Sequence, residues 1–351
     1  MTTEDRPPAR TQRRVTAMKR IIQTVGAVSI ATSLLLVASA CSSTTTATPS
    51  TPGAKSLTIA FVMGAEADPF FKAMKVGATA ETSANGDKLI WQGDPSLYSP
   101  ATQIPIVDQV LAQKPDCLVL IPTDPDALQA SVAKATAAKI PVVNVDTHVT
   151  DLSNVVSFIT GDNTQGGAAA ADQMATAIGY KAGGSYKVVA GLTSATATTN
   201  VDRLKGFEDQ LAAKYPGVTV VDTAYSQSQP ATANSNVSNW LTKYPDLAGI
   251  FAIDGTNATG ASSALQAKGL TGKVALIGYD AYKTNVDLIA KGVFTALIAQ
   301  NPAEEAKQAI DACQSFIQTG KSSIAAKVTL PNITMNKDTS AADLTKYTYV
   351  Q

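Results

Sequence analysis

The chain of 351 residues is 45% hydrophobic and 16% charged, and its 28 Lys and Arg are matched by 28 Asp and Glu. Such a length exceeds one ordinary domain and points to two. The balanced charge, with no basic cluster beyond the first residues, argues against a nucleic-acid partner.

Lys19 and Arg20 open the first recognisable segment, followed by an apolar run from Ile21 to Val37, by Ala38-Ser39-Ala40 and by Cys41. Positive charge, apolar core, small residues and a cysteine form an export signal whose thiol becomes a lipid attachment point. Residues 1–40 are therefore expected to be a lipoprotein signal peptide. Lipidation of Cys41 would hold the mature chain outside the cytoplasm, anchored to the cell membrane. A retained membrane helix is the rival, since the run approaches the roughly 20 residues that span hydrocarbon, but the small residues before Cys41 favour cleavage. Met18 could equally start the chain, and Arg13-Arg14 allows twin-arginine export. Ser42 to Ala54 carries no charge and no large apolar residue, so residues 41–55 read as a flexible tether.

Beyond the tether, strand-like runs alternate with helical periods. Leu57 to Met63, Lys88 to Trp91, Cys117 to Ile121 and Pro141 to Val145 read as strands, and the gaps carry stripes such as Ile104, Val107, Leu111 and Leu128, Val132, Ala135. The rhythm returns after Gly161, with strands expected at Tyr186 to Ala190, Val218 to Ala224, Gly249 to Ile253, Val274 to Gly278 and Phe294 to Ala299. Strand then helix, repeated, builds a parallel sheet covered on both faces. Two such blocks make the fold class α/β, with two similar doubly wound parallel-sheet lobes.

Cys117 lies in the apolar run Cys117-Leu118-Val119-Leu120-Ile121, and Cys313 continues the stripe Ala306, Ile310, Ile317. Both patterns favour core packing of the two thiols. A disulfide is the alternative that an oxidising compartment allows.

Ligands of open parallel sheets bind beyond the carboxyl ends of the strands. Asp68, Asp124, Asp146, Asp254 and Asp280 each follow such a run. Helix capping alone could explain any one of them, whereas the set suggests that at least three share a cleft. Carboxylates only accept hydrogen bonds, so a converging group suits a ligand rich in hydroxyl donors, a sugar or polyol. Phe70, Phe71 and Tyr279 could offer flat faces to the C–H side of a sugar ring, although core packing is the ordinary role of any one of them.

Other chemistries fit poorly. Gly161 to Gly167 is glycine-rich and is expected to open a helix at Ala168, but it has neither dinucleotide-fingerprint nor P-loop spacing. His148 is the single histidine, which speaks against a histidine metal site or a Ser-His-Asp hydrolase; it is expected in a solvated loop. No cofactor or metal is expected. Asp146 and Asp280 could form a glycosidase pair, yet nothing marks one of them as held neutral. A repressor would need a helix-turn-helix where the leader stands.

At these residues the chain resembles the ribose-binding protein family, the solute-binding proteins of sugar ABC importers. The resemblance spans about Ser56 to Gly320. It rests on the order and spacing of Asp68-Pro69-Phe70-Phe71, Ile121-Pro122-Thr123-Asp124, Gly161-Asp162-Asn163-Thr164-Gln165-Gly166-Gly167, Arg203-Leu204-Lys205-Gly206-Phe207, Phe251-Ala252-Ile253-Asp254, Gly278-Tyr279-Asp280 and Ala299-Gln300.

The resemblance implies a periplasmic binding protein-like fold of type I, with lobes joined by a three-crossing hinge. Lobe 1 would be 56–160 plus 301–320, lobe 2 161–300, and 321–351 a C-terminal crossing and tail. It also implies a ligand-binding set of Asp68, Phe70, Phe71, Asp146, Asn163, Arg203, Asp254, Tyr279, Asp280 and Gln300. In that set Arg203 would donate, the aspartates and Gln300 accept or bridge, and the aromatics sandwich the ring. The implied partners are a monosaccharide or polyol and an ABC transporter permease; a membrane sensor in place of the permease is the alternative. A monomer is expected.

Departures from the family are Asp68 and Asp254 for asparagine, Thr147 for a second arginine, and a missing aromatic near Ser228 and Gln229. They imply a more acidic, less enclosed cleft that disfavours sugar phosphates and uronates.

Overall fold

The computed structural model describes residues 55–350. The expected signal peptide, Cys41 and residues 42–54 of the tether lie outside that range. Along the chain come β1 (Thr58–Ala65), α1 (Pro69–Asn85), β2 (Lys88–Asp94), α2 (Pro100–Ala112), β3 (Cys117–Leu120), α3 (Gln129–Ala137), β4 (Val142–Val145) and β5 (Val155–Gly161). Next are α4 (Asn163–Ala177), β6 (Tyr186–Leu192), α5 (Thr198–Lys214), β7 (Val218–Tyr225), α6 (Pro230–Lys243), β8 (Leu247–Ala252), α7 (Gly255–Ala267), β9 (Ala275–Tyr279), α8 (Lys283–Ile289) and β10 (Ala296–Ala299). The chain closes with α9 (Pro302–Thr319), β11 (Lys327–Leu330), β12 (Ile333–Met335) and α10 (Ala341–Tyr347).

The strands form two six-stranded sheets, ordered β11-β5-β4-β3-β1-β2 and β12-β10-β9-β8-β6-β7. The first is parallel throughout. In the second only β12 runs antiparallel, against β10. The chain passes between the sheets after β5, after β10 and between β11 and β12. Central strands such as β3 and β4 are buried at every residue, as expected of a sheet covered on both faces.

Three strands escaped the pattern. β5 starts with two half-buried valines and carries Ser157 and Thr160, while β11 and β12 are short, partly exposed edge strands. Residues 321–350 are thus not a bare tail, since they add one strand to each sheet and a capped helix.

The two cysteines correct the expectation of free packed thiols. Cys117 and Cys313 form a disulfide with Cα atoms 5.9 Å apart, and both are fully buried. Burial and bonding coexist because the Cys313 face of α9 lies on the start of β3. The bridge ties α9, which follows the second crossing, to the first sheet.

Helix α4 begins at Asn163 rather than Ala168, because Asp162 caps it by accepting from Gln165 N at 3.0 Å. Gly166 and Gly167 therefore lie inside the helix and serve close packing. A side chain at Gly166 would collide with the Tyr279 hydroxyl, and one at Gly167 with the Arg203 carbonyl. His148 is half-buried, with its ring edge on Phe158 at 4.7 Å, and not simply solvated.

Candidate functional site

The strand ends of both sheets meet around one cavity. Of the ten candidate residues, Asp68, Phe70, Phe71, Asp146, Arg203, Asp254, Asp280 and Gln300 line it. Asn163 and Tyr279 do not. Of the five aspartates after strand ends, Asp124 stays outside, where its carboxylate accepts from Asp126 N and Ala127 N and closes a turn.

Asn163 and Tyr279 are the support of Arg203. The guanidinium carbon lies 3.8 Å from the centroid of the Tyr279 ring, a favourable cation–π arrangement. Nε donates to Asn163 Oδ1 at 2.7 Å and Nη1 to the Ile253 carbonyl at 3.0 Å. The remaining Nη2 is buried without a protein partner. Burial by itself would favour the neutral form, but Tyr279 and the charges of Asp280, Asp146 and Asp254 outweigh it and raise the pKa. Arg203 is a fixed cation with one free donor.

Asp146 and Asp280 differ sharply in how they are held. Asp280 Oδ1 accepts from Gln300 Nε2 at 2.7 Å and Tyr349 Oη at 2.9 Å, and Oδ2 accepts from Gly255 N at 2.9 Å. The Asp146 backbone is bonded to β5 and to Thr160, but its carboxylate has no donor among the described residues. Burial pushes the Asp146 carboxyl up to about 7, opposed by Arg203 and reinforced by Asp280 and Asp68. Gln300 spends its amide nitrogen on Asp280 and leaves a buried Oε1 without a partner. An unpartnered donor, an unpartnered acceptor and a bare carboxylate are what a ligand bearing several hydroxyls would satisfy.

Asp254 and Asp68 are largely committed to protein. Asp254 caps α7 through Asn257 N at 2.9 Å, and its second oxygen accepts from Thr193 Oγ1 at 2.9 Å and Asn257 Nδ2 at 2.7 Å. Burial raises its pKa against those bonds. Asp68 caps α1 through Phe70 N at 2.9 Å and crosses the cleft, accepting from Thr256 Oγ1 at 3.1 Å and from the Tyr282 hydroxyl. Its carboxyl is raised to about 6 by burial, with the Tyr282 and Phe70 bonds pulling the other way. Gln229 Nε2 bonds the Ser96 carbonyl at 2.5 Å and His148 N the Thr198 hydroxyl at 3.4 Å. These bonds between lobes make the conformation a closed one.

The expectation of a less enclosed cleft needs correction. No aromatic stands at Ser228, which itself lines the cavity, but Tyr98 does so from the other lobe. Tyr98 is buried and packs so closely on Gly64 that a side chain there would strike its ring. With Tyr279 beneath Arg203, the rings facing the cavity are Phe70, Phe71 and Tyr98. Thr193, Thr199 and Asn200 also line it and were missed. Tyr98 sits in a Pro- and Ser-rich loop without periodicity, so only the absence of an aromatic elsewhere could have drawn attention to it. Among the described residues, no group of three or more His, Cys, Asp or Glu is placed to hold a metal.

Comparison with known proteins bears on the family and the fold. The chain is 32% identical over 269 residues to the ribose import binding protein RbsB of Salmonella typhimurium, covering 75% of this chain and 86% of that protein. It is 31% identical over 255 residues to the D-ribose/D-allose-binding protein of Pseudomonas aeruginosa, covering 71% and 78%. A solved ABC transporter solute-binding protein from Agrobacterium vitis, bound with α-D-tagatopyranose, superposes with a TM-score of 0.78 at 31% identity over 84% of this chain and all of that one. A carbohydrate transporter solute-binding protein from Agrobacterium radiobacter in complex with D-arabinose gives 0.79 at 26%, again over 84% and all of that chain. The family described as periplasmic binding protein domain matches residues 59–322, and with that span and those relatives the chain belongs to it as a ribose-binding-protein-like member.

Proposed function

We propose that the chain captures one small polyhydroxylated solute without negative charge, a pentose, hexose, polyol or amino sugar, in the cavity between its lobes and delivers it to an ABC transporter permease. The observation that carries this reading is that Arg203, Gln300 and Asp146 line the cavity while, among the described residues, Arg203 Nη2 and Gln300 Oε1 lack partners and the Asp146 carboxylate lacks a donor. Hydrogen bonds to charged groups contribute about 1.5–3 kcal/mol each, so a few approach the roughly 8 kcal/mol of micromolar binding. Phe70, Phe71 and Tyr98 supply the apolar faces. Lobe closure is the mechanism, since a ligand touching both sides binds the closed form better and shifts the hinge toward it. The names of the relatives support the class, being binding proteins for ribose, allose and xylitol.

The lipid anchor at Cys41 and a monomeric state are part of this proposal, as are lobes of 56–160 plus 301–320 and 161–300, to which β11 and β12 add one strand each. The aspartates facing a single arginine disfavour sugar phosphates and uronates. The glycosidase reading is dropped, because Asp280 is held by three protein donors and the relatives are binding proteins.

A thermal-shift panel of D-ribose, D-allose, D-arabinose, D-tagatose, xylitol and glucosamine tests the reading. A ligand at about 100 times its dissociation constant adds about 2.7 kcal/mol and raises the melting temperature by several degrees. A shift by ribose 5-phosphate larger than by any neutral sugar would overturn the exclusion of anions.

A further inference from the structure

The segment after β12 packs against two residues of the ligand site, Asp280 and Gln300, without lining the cavity itself. After β12 the chain forms α10, capped by Ser340 accepting from Asp343 N at 3.1 Å, and then turns inward. Tyr349 is 6% exposed although Val350 beside it is 67% exposed. Its amide donates to the Ala281 carbonyl at 2.9 Å, and its hydroxyl donates to Asp280 Oδ1 at 2.9 Å and lies 3.4 Å from Gln300 N. Its ring centroid is 6.1 Å from that of Phe70 and 6.0 Å from that of Tyr282. Phe70 opens α1 against the first sheet, Tyr282 and Asp280 follow β9 of the second, and Gln300 stands at the second crossing. One side chain therefore touches both lobes and the hinge.

We propose that Tyr349 is a positioning residue that couples the hinge to the cleft. Its hydroxyl anchors it on Asp280, and its ring, set between Tyr282 and Phe70, holds the lobes toward the closed arrangement. The aromatic contact with Phe70 spans the cleft, so it is made on closing and broken on opening. The contacts with Asp280, Ala281 and Tyr282 belong to one side and persist. Tyr349 thus biases the hinge before any solute arrives, and a smaller contribution from the solute then suffices for closure. This goes beyond the sugar reading, because it concerns the protein without ligand.

Small-angle scattering of the purified, ligand-free protein tests it without knowing the solute. One aromatic pair is worth about two- to tenfold in an equilibrium constant, so Tyr349→Ala should shift the closed-to-open ratio toward open by that factor and enlarge the radius of gyration. Tyr349→Phe keeps the ring between Phe70 and Tyr282 and should restore most of the closed population. If the alanine variant does not fold, Tyr349→Leu fills most of the volume without the ring and must open the hinge as well. A folded Tyr349→Ala or Tyr349→Leu protein with the wild-type scattering profile overturns the proposal. A wild type that binds no sugar leaves this comparison intact.

Discussion

Asp146 and Asp280 occupy equivalent places in the two lobes. Each directly follows a central strand, each has a left-handed backbone, φ 61° and φ 66°, and each donates its N–H to the neighbouring strand, to Ile159 O and Ile298 O, both at 2.8 Å. A non-glycine residue seldom adopts that conformation, though aspartate does so more readily than most. The turn aims both carboxylates at the cavity. The symmetry stops at the carboxylates, because Asp280 has three protein donors and Asp146 none.

That asymmetry separates two substitutions. Asp280→Ala strands Gly255 N, Gln300 and Tyr349, and should cost about 1–3 kcal/mol of stability, read as a lower denaturation midpoint with unchanged slope. Asp146→Asn removes a buried carboxylate with no protein partner, so stability should hold or rise. Its cost should fall on solute affinity, about tenfold or more by calorimetry.

The raised pKa of Asp146, about 7, gives stability and affinity opposite pH dependences. In the unfolded chain the carboxyl has an ordinary pKa near 3.9, so the folded, ligand-free protein binds more protons between pH 4 and 7, and its stability falls as pH rises through that window. Asp68, raised to about 6, adds to the fall. A solute whose hydroxyls donate to ionised Asp146 should instead bind about tenfold tighter at pH 8 than at pH 6. Affinity that is flat across that range would show that Asp146 does not accept from the solute.

Glu305 is the costly group in this fold. It is fully buried on α9, both carboxylate oxygens lack a partner, and burial, then the charge of Asp146, raise its pKa well above the ordinary value. The sign follows as for Asp146, so above pH ~4.5 this residue destabilises the folded state. Glu305→Leu should therefore stabilise at neutral pH, by about 1–4 kcal/mol, with the gain shrinking near pH 4. Chemical denaturation at pH 4 and pH 7.5 reads the difference.

The Cys117–Cys313 bridge closes a sequence separation of 196 residues within one lobe. Its removal by Cys117→Ser with Cys313→Ser should cost about 2–5 kcal/mol. Mass spectrometry of an unreduced digest should find the two cysteine peptides joined.

Most of the fold was legible because apolar runs in a doubly covered sheet are nearly continuous, as in Cys117-Leu118-Val119-Leu120. β11 and β12 were not, since short edge strands with half-exposed residues carry almost no periodic signal. The aspartates of the cleft could be found from their place after each strand, but that place does not tell a ligand group from a cap. Asp124 only closes a turn outside the cavity, and Asp254 is a cap that also lines it. Asn163 came with the family resemblance and Tyr279 as a flat face for a sugar ring, yet only the structure shows them holding Arg203 from behind. Tyr98 lines the cavity from a loop and Tyr349 packs on Asp280 from the segment after α10, where spacing says nothing about what packs where.

The account rests on Arg203 as the fixed donor of the cavity between the lobes. Calorimetric titration of wild type and Arg203→Ala with D-ribose, D-allose, D-arabinose, D-tagatose and xylitol tests it most directly. Saturable one-to-one binding of at least one of these by the wild type, weakened a hundredfold or more in Arg203→Ala, is the expected result. A wild type that binds none of them, or an Arg203→Ala protein that binds as tightly as the wild type, would contradict it.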